Sequence, residues 1–281
     1  MTGGTEMISV VIPVYNAAEE LACCLDSVLA TIPAGTEVLV IDDASPDRAT
    51  QDLLNRWRQQ APGGWRFYAN AGNLGFVATA NRGMHETRHN VVLLNSDTEV
   101  TTGWLQGLQN CLESDPLIAT ATPWTNNGEI ASLPLFCQVN PVPQDLAAVA
   151  GIVKRSGLPV YPVIPTAVGF CMAISRRAIN QVGLFDAELF GKGYGEENDF
   201  SMRVVAQGMR NVLCDNVYVA HLGGRSFGPT GLKPDESSMQ RLLSRHPGYL
   251  QLVQAFIDAD PLSARREMIL EALEQAGVLM G

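Results

Sequence analysis

What the 281-residue chain lacks narrows its class before any motif is read. It has no excess of basic residues: 19 Lys and Arg stand against 29 Asp and Glu, a formal net charge of −10. Phosphate backbones are bound by cationic surfaces, so this balance argues against nucleic acid as the main partner and against a strongly basic membrane-docking face. No apolar run approaches the roughly 20 residues of a membrane span. The first residues lack the basic and apolar regions of a secretory signal. The six cysteines (Cys23, Cys24, Cys111, Cys137, Cys171 and Cys214) form no C-x-x-C pair. They read as reduced core thiols rather than a disulfide frame or a zinc site, which points to the cytosol. Repeats and low-complexity tracts are absent too. With 46% hydrophobic and 17% charged residues, bulk disorder is excluded and one packed core is expected rather than two full domains.

What is present in the first half is alternation. Residues 8–14, 37–41, 65–68 and 91–94 are short apolar runs that read as buried strands. Between and after them, Leu21, Leu25 and Val28, then residues 51–60, then Phe76, Val77, Ala80 and Met84, then Leu105, Leu108 and Leu112 recur at helical spacing. Such alternation implies an α/β fold with a mostly parallel sheet covered by helices on both faces. Residues 126–165 are proline-rich and read as an excursion over the sheet with one short helix near 144–156. A strand over 166–174, a helix from Arg176, a helix over 197–207 and a strand over 211–220 follow. The tail from Pro234 reads as two or three helices broken at Pro247 and Pro261.

In open α/β sheets, ligands sit beyond the carboxyl ends of the strands. Here the first, second and fourth strands end in Pro13-Val14-Tyr15-Asn16, in Asp42-Asp43-Ala44-Ser45 and in Asn95-Ser96-Asp97. A phenol and several carboxylates on one sheet edge suggest a nucleotide and metal site. With V-I-P-V-Y-N at 11–16, I-D-D-A-S at 41–45, N-x-G-N-x-G-F at 70–76, L-L-N-S-D at 93–97, G-x-F-D at 183–186, G-Y-G-E-E-N-D-F at 193–200 and His221, the chain resembles the family 2 glycosyltransferases over residues 7–228.

The resemblance implies a GT-A fold, a Rossmann-like sheet with C-terminal helices added. It implies a nucleotide-sugar-binding half at 7–115, an acceptor-binding half at 116–228 and a helical extension at 229–281. It also implies an inverting transfer from a nucleotide-diphospho-sugar, with UDP or dTDP favoured over GDP, to a saccharide or lipid-linked acceptor. The look is that of bacterial cell-surface polysaccharide enzymes, rhamnosyl- and galactosyl-type transferases included, acting in the cytoplasm or at the inner face of the membrane.

By resemblance, Pro13, Tyr15, Asn16, Asp42, Asp43, Asn73, Asn95, Ser96 and Asp97 lie along the donor. A carboxylate such as Asp43 suits a base N–H or a sugar hydroxyl because charge-assisted hydrogen bonds are strong. Ser45-Pro46-Asp47 reads as a helix start, so Ser45 is structural. Asn95-Ser96-Asp97 stands where the family has Asp-x-Asp, and Asp97 with His221 is the implied ligand set for Mn²⁺ or Mg²⁺; these ions prefer oxygen ligands and keep waters. The first position is Asn, which carries no charge. Glu196-Glu197-Asn198-Asp199 matches the acceptor motif, whose second acid resembles the catalytic base. That acid is Glu197, one methylene longer than the family's Asp. Glu196 and Asp199 remain alternatives, although Asp199 also suits a partner such as Arg203. Gly169, Phe170 and Tyr194 fall on the acceptor side. Trp104 and Trp124 suit either the core or a sugar ring, with the core preferred for Trp104. Cys171 shows no charge partner and reads as packing.

Three other classes share some of these features. A sugar nucleotidyltransferase also uses acidic metal ligands, but residues 11–20 lack its glycine-rich basic loop. A non-catalytic nucleotide-sugar-binding module is countered by the intact acidic run. A processive synthase would show a Gln-x-x-Arg-Trp motif after residue 200, and none is present.

Overall fold

A computed structural model describes residues 8–223 and 236–280. The boundary expected at 228–229 and the tail's start at Pro234 lie outside the described residues. The first half runs β1 (Ile8–Val14), α1 (Ala18–Thr31), β2 (Val38–Asp42), α2 (Arg48–Gln60), β3 (Trp65–Ala69), α3 (Phe76–Glu86), β4 (Asn90–Leu94), β5 (Thr98–Glu99) and α4 (Trp104–Ser114). The second half runs β6 (Ile118–Trp124), α5 (Leu146–Arg155), β7 (Val163–Ile164), β8 (Cys171–Ile174), α6 (Arg176–Val182), α7 (Ala187–Phe190), α8 (Glu196–Ala206), β9 (Arg210–Tyr218) and β10 (Ala220–His221). Three helices follow: α9 (Glu236–Arg245), α10 (Tyr249–Ala259) and α11 (Ser263–Gln275). The breaks before α10 and α11 fall at Pro247 and Pro261, as proline's missing N–H requires. Among the described residues no helix is long and apolar enough to cross a membrane.

Eight strands form one sheet in the order β3-β2-β1-β4-β8-β6-β9-β7. Its pairs are parallel except those made by β8 and β7. Strand side chains alternate between two cores, as the period of two dictates. Val10, Ile12, Val14, Val38 and Val40 pack under Leu21 and Leu25 of α1, Leu54 of α2 and Leu108 of α4. Val11, Leu39 and Ile41 pack on the other face with Met84 of α3, Ile179 of α6, Phe200 of α8 and Leu242 of α9. Helix α3 can approach β1 closely because position 83 is glycine; a Cβ there would lie 2.2 Å from a Val11 methyl.

Several elements depart from the sequence reading, among them the short β5, β7, α7 and β10, which were not expected. Strand β6 was not expected, since I-A-T-A-T-P-W is too poor in large apolar residues to announce itself. Its polar groups are satisfied by tertiary contacts, such as Thr120 Oγ1 donating to Asn211 Oδ1 at 2.8 Å in the interior. The strand expected over 166–174 shrinks to Cys171–Ile174. Upstream, the N–H groups of Ala167 and Val168 donate to the hydroxyls of Ser201 and Thr122 rather than to a neighbouring strand. Gly169 and Phe170 therefore sit in a turn at the mouth of β8.

Candidate active site

The donor-side loops are built by polar residues clasping one another's backbone. Asn16 and Ala17 both have left-handed φ, 58° and 60°. Asn16 holds that turn by donating its N–H to Ser45 Oγ (2.8 Å) while its Oδ1 accepts from the Asp47 N–H (3.2 Å). Asp47, not Ser45, caps α2, accepting from Ala49 and Thr50. Asp42 Oδ1 accepts the Ser45 N–H at 3.0 Å. Asp43 accepts three hydrogen bonds, from Asn70 Nδ2, Leu74 N–H and Gly75 N–H, each at 2.8 Å. Its carboxylate thus fixes the shape of the 70–75 loop, and little acceptor capacity is left for a ligand. Gly75 has φ 88°, and a Cβ there would lie 2.5 Å from Lys192 Cα, so only glycine lets the 191–195 loop rest on it.

The second half of the site is made by a two-stranded sheet. After β4, the Asn95 N–H donates to the Phe170 carbonyl at 2.9 Å, and Thr98 pairs with His221 as β5 meets β10 antiparallel. The Leu222 N–H donates to the Asp97 carbonyl at 2.9 Å. This pairing sets His221 Nε2 3.5 Å from Asp97 Oδ1. Asp97 is 3% exposed, and its Oδ1 has no hydrogen-bond partner among the described residues. On the other side of the ring, Nδ1 lies 2.7 Å from the Asn127 carbonyl, which can only accept, so Nδ1 carries a proton. A protonated His221 pairs with the buried Asp97 carboxylate, and a neutral one turns the Nε2 lone pair to the same place. Burial works against the imidazolium, but the Asp97 carboxylate and the Asn127 carbonyl outweigh it and raise the His221 pKa. A bare carboxylate in such a place costs several kcal/mol, on the order of the penalty for any uncompensated buried charge. Two converging electron-pair donors, one hard oxygen and one imidazole, fit a divalent cation. No third His, Cys, Asp or Glu joins them in a metal-binding group among the described residues, so ligand oxygens would complete the shell.

Asn126 supports this arrangement. Its Oδ1 accepts the His221 N–H at 2.8 Å and its Nδ2 donates to the His221 carbonyl at 2.9 Å. Phe170 stacks on the imidazole with ring centroids 5.3 Å apart. Both side chains hold a candidate ligand in place, as outer-shell partners do.

A cavity of about 300 Å³ opens beside this pair. It brings together Asn95, Asp97, Gly169, Phe170, Tyr194, Glu196, Glu197 and His221, along with Phe76, Asn127, Gly128, Glu129, Val168 and Gly193. Glu196 and Glu197 open α8 behind Gly195 (φ 102°), where carboxylates complement the helix dipole. Glu196 is 4% exposed with Oε2 unpartnered among the described residues. Burial and then the Glu197 charge push its carboxyl well above the usual range. Burial also raises Glu197, with the Glu129 charge adding to it.

The cavity wall does not include Pro13, Tyr15, Asn16, Asp42, Asp43, Asn73, Ser96 or Asp199. Asp199 faces away from it, fully buried under Arg203 Nε (2.8 Å), Arg245 (3.1 Å) and His246 Nε2 (2.8 Å). Trp104 and Trp124 are core residues whose indole N–H groups donate to Thr31 Oγ1 and the Asp215 carbonyl. Cys171 is buried, and burial raises its thiol pKa, as packing requires. The sequence reading missed Asn126, Asn127 and Glu129. T-N-N-G-E reads only as a turn, and nothing in it announces a partner 95 residues away.

The family model of glycosyl transferase family 2 matches residues 9–183. The chain belongs to glycosyl transferase family 2. No curated protein matches this family 2 chain. Among solved structures, it resembles GalNAc-T7 with UDP, GalNAc and Mn²⁺ at TM-score 0.64 and 17% identity, covering 96% of this chain. The chain spans 55% of that protein's length. It resembles the mannosyltransferase PcManGT from Pyrobaculum calidifontis in complex with GDP-Man and Mn²⁺ at TM-score 0.59 and 16% identity, covering 98% of this chain and 76% of that one. It also resembles S. aureus TarS 1–349 in complex with UDP-GlcNAc at TM-score 0.58 and 14% identity, covering 95% and 79%. These likenesses establish the GT-A type of fold for the family 2 chain.

Proposed function

We propose that the protein transfers a glycosyl group from a nucleoside-diphospho-sugar to a hydroxyl of a saccharide or lipid-linked acceptor, inverting the anomeric carbon in one displacement. The observation that carries this reading is the meeting of Asp97 Oδ1 and His221 Nε2, 3.5 Å apart, at the wall of a cavity that also holds Glu197. Family membership supports it, as do the UDP, UDP-GlcNAc and GDP-Man complexes among the structures of like fold.

Asp97 and His221 would hold a divalent cation, Mn²⁺ or Mg²⁺, which supplies Lewis-acid chemistry toward the donor's diphosphate oxygens. Asn126 and Phe170 keep the His221 ring in place for that role. On the donor side, Tyr15, Asn16, Asp42, Asp43 and Asn73 would lie along the nucleotide, with Asn16, Asp42 and Asp43 acting through the loops they shape. On the acceptor side, Glu197 takes the proton of the attacking hydroxyl. That oxygen forms the new bond to the anomeric carbon as the bond to the diphosphate breaks, and the leaving group carries away the electron pair. A carboxyl lifted by burial is a better match to an alcohol proton than an ordinary one, and such general-base assistance is worth about 10² to 10⁴ in rate. Glu196, its neighbour in the chain, has its carboxyl raised by burial and by the Glu197 charge, so the two carboxyls oppose each other's ionisation. All six cysteines are free, which suits work in the reducing cytoplasm, with polysaccharide or lipid-linked acceptors reached at the inner membrane face.

The test is a thermal-shift panel of UDP-, dTDP- and GDP-sugars with Mn²⁺, followed by product analysis with the donor that stabilises most. Release of nucleoside diphosphate with inverted product is expected. Release of pyrophosphate would indicate a nucleotidyltransferase instead, and donor binding with no cleavage across acceptors would indicate a binding module.

A further inference from the structure

One cavity residue has no part in the reaction described above. Glu129 follows Gly128 in the turn after β6 and has φ 49°, a left-handed conformation that a side-chain-bearing residue rarely adopts. Gly128 donates its N–H to Ser132 Oγ (3.1 Å), and the Glu129 carbonyl accepts from Ser132 N–H (3.0 Å) and Cys137 N–H (3.2 Å). A Cβ at Gly128 would lie 2.4 Å from a Thr125 methyl and 3.1 Å from the Phe170 ring. The turn is thus locked against the ring that stacks on His221, and it presents a carboxylate to the cavity. Glu129 is exposed as a residue, at the rim of the cavity, yet the protein atoms around its carboxyl raise it above its usual range. No ion pair reaches Glu129 among the described residues.

Glu129 shares the cavity with Glu197 and adds its charge to the forces that raise the Glu197 carboxyl. Both carboxyls also act on Tyr249 of α10, whose phenol is raised first by burial and then by these two charges. The buried Glu196 carboxyl belongs to the same acidic wall, and its Oε2 has no hydrogen-bond partner among the described residues. Among the described residues the wall contains no Lys or Arg. An anionic group placed here would face like charges with no Lys or Arg among the described residues of the wall to offset them.

Resting on the transfer reading above, we propose that the acceptor end of this cavity selects a sugar unit bearing no anionic group, and that Glu129 sets the selection. Its carboxylate accepts a hydrogen bond from an acceptor hydroxyl or ammonium and repels a carboxylate at the same place. Glu129 is a specificity-determining residue, separate from the base.

The experiment uses the full chain with Mn²⁺ and the donor found by thermal shift. The probes are methyl hexosides of gluco and galacto configuration in three forms: neutral, 2-amino-2-deoxy and uronic acid. The readout is kcat/KM for each as an acceptor or, where one is not glycosylated, its inhibition constant against donor hydrolysis. In the wild type the uronides are expected to be poorer than the neutral glycosides by at least about tenfold, in line with the worth of one charge-assisted contact. Glu129→Gln is expected to narrow that gap by about tenfold, and Glu129→Lys to reverse it, with melting temperature confirming that each variant folds. Uronides used as well as neutral glycosides, a gap unmoved in both variants, or no binding by any of the three classes overturns the proposal. A wild-type protein that cleaves no donor at all would instead refute the transfer reading itself, a result distinct from cleavage without discrimination.

Discussion

His221 Nε2 and Asp97 Oδ1 face each other across 3.5 Å, brought there by two short strands, β5 and β10, whose residues are separated by more than 120 positions of chain. The imidazole is held from behind by the Asn127 carbonyl and the carboxylate oxygen has no hydrogen bond among the described residues. The arrangement is complete only when something positive lies between the two atoms.

Asp97→Asn should therefore act oppositely on apo stability and on metal response. The amide can donate to Nε2 and removes a buried charge, so the metal-free protein should gain about 1–3 kcal/mol. The rise in melting temperature that Mn²⁺ with donor gives the wild type should disappear. Calorimetry with and without Mn²⁺ checks both. Equal metal-dependent stabilisation of variant and wild type would remove Asp97 from the ligand set.

Asn126→Ala should weaken Mn²⁺ binding by about 10- to 100-fold, the usual loss when an outer-shell partner is removed. The side-chain amide that grips both backbone groups of His221 is then gone. Titration of Mn²⁺ by electron paramagnetic resonance in the presence of UDP measures the change, and unchanged affinity would mean that the ring is positioned without Asn126.

Glu197→Gln should lower kcat by about 10² to 10⁴ while donor affinity is kept. Wild-type kcat/KM should rise with pH along a limb displaced above the ordinary 4.5 of a glutamate, because Glu197 is raised by burial and by the Glu129 charge. Near-normal turnover in the variant would pass the role of base to Glu196.

Glu196 makes a stability prediction whose sign follows from proton linkage. Its folded pKa lies well above the unfolded value of 4.5, so the folded state binds the proton more tightly. Stability is then fully present below 4.5 and is lost as pH rises through the folded pKa. Glu196→Gln should flatten that decline and be more stable than wild type at neutral pH. Urea unfolding from pH 4.5 to 8 reads the effect, and parallel curves for the two proteins would contradict it.

Asp199→Ala should cost about 3–5 kcal/mol, since it strands Arg203, Arg245 and His246 around an emptied buried position. The loss should be accompanied by proteolytic exposure of α9, which Asp199 ties to α8. Limited proteolysis with chemical denaturation tests the two together.

Much of this was legible from residues alone, and the division has a physical cause. The parallel strands of the first half declare themselves through continuous apolar runs, the helices through their period, and the prolines at 247 and 261 through the breaks they force. The acids at 97, 196 and 197 stand at strand and helix ends where such sheets bind ligands, and family likeness named them. Strand β6 stayed hidden because its small and hydroxylated residues become strand-like only once neighbours bury and satisfy them. Asp43 could not be recognised as the clasp of the 70–75 loop, nor Asp199 as the shared partner of Arg203, Arg245 and His246. Local pattern reports which side chains are available, whereas hydrogen bonding and burial depend on what the chain returns to that place. That is also why Asn126, at the start of a proline-rich excursion, shows its grip on His221 only when β10 folds back against β5.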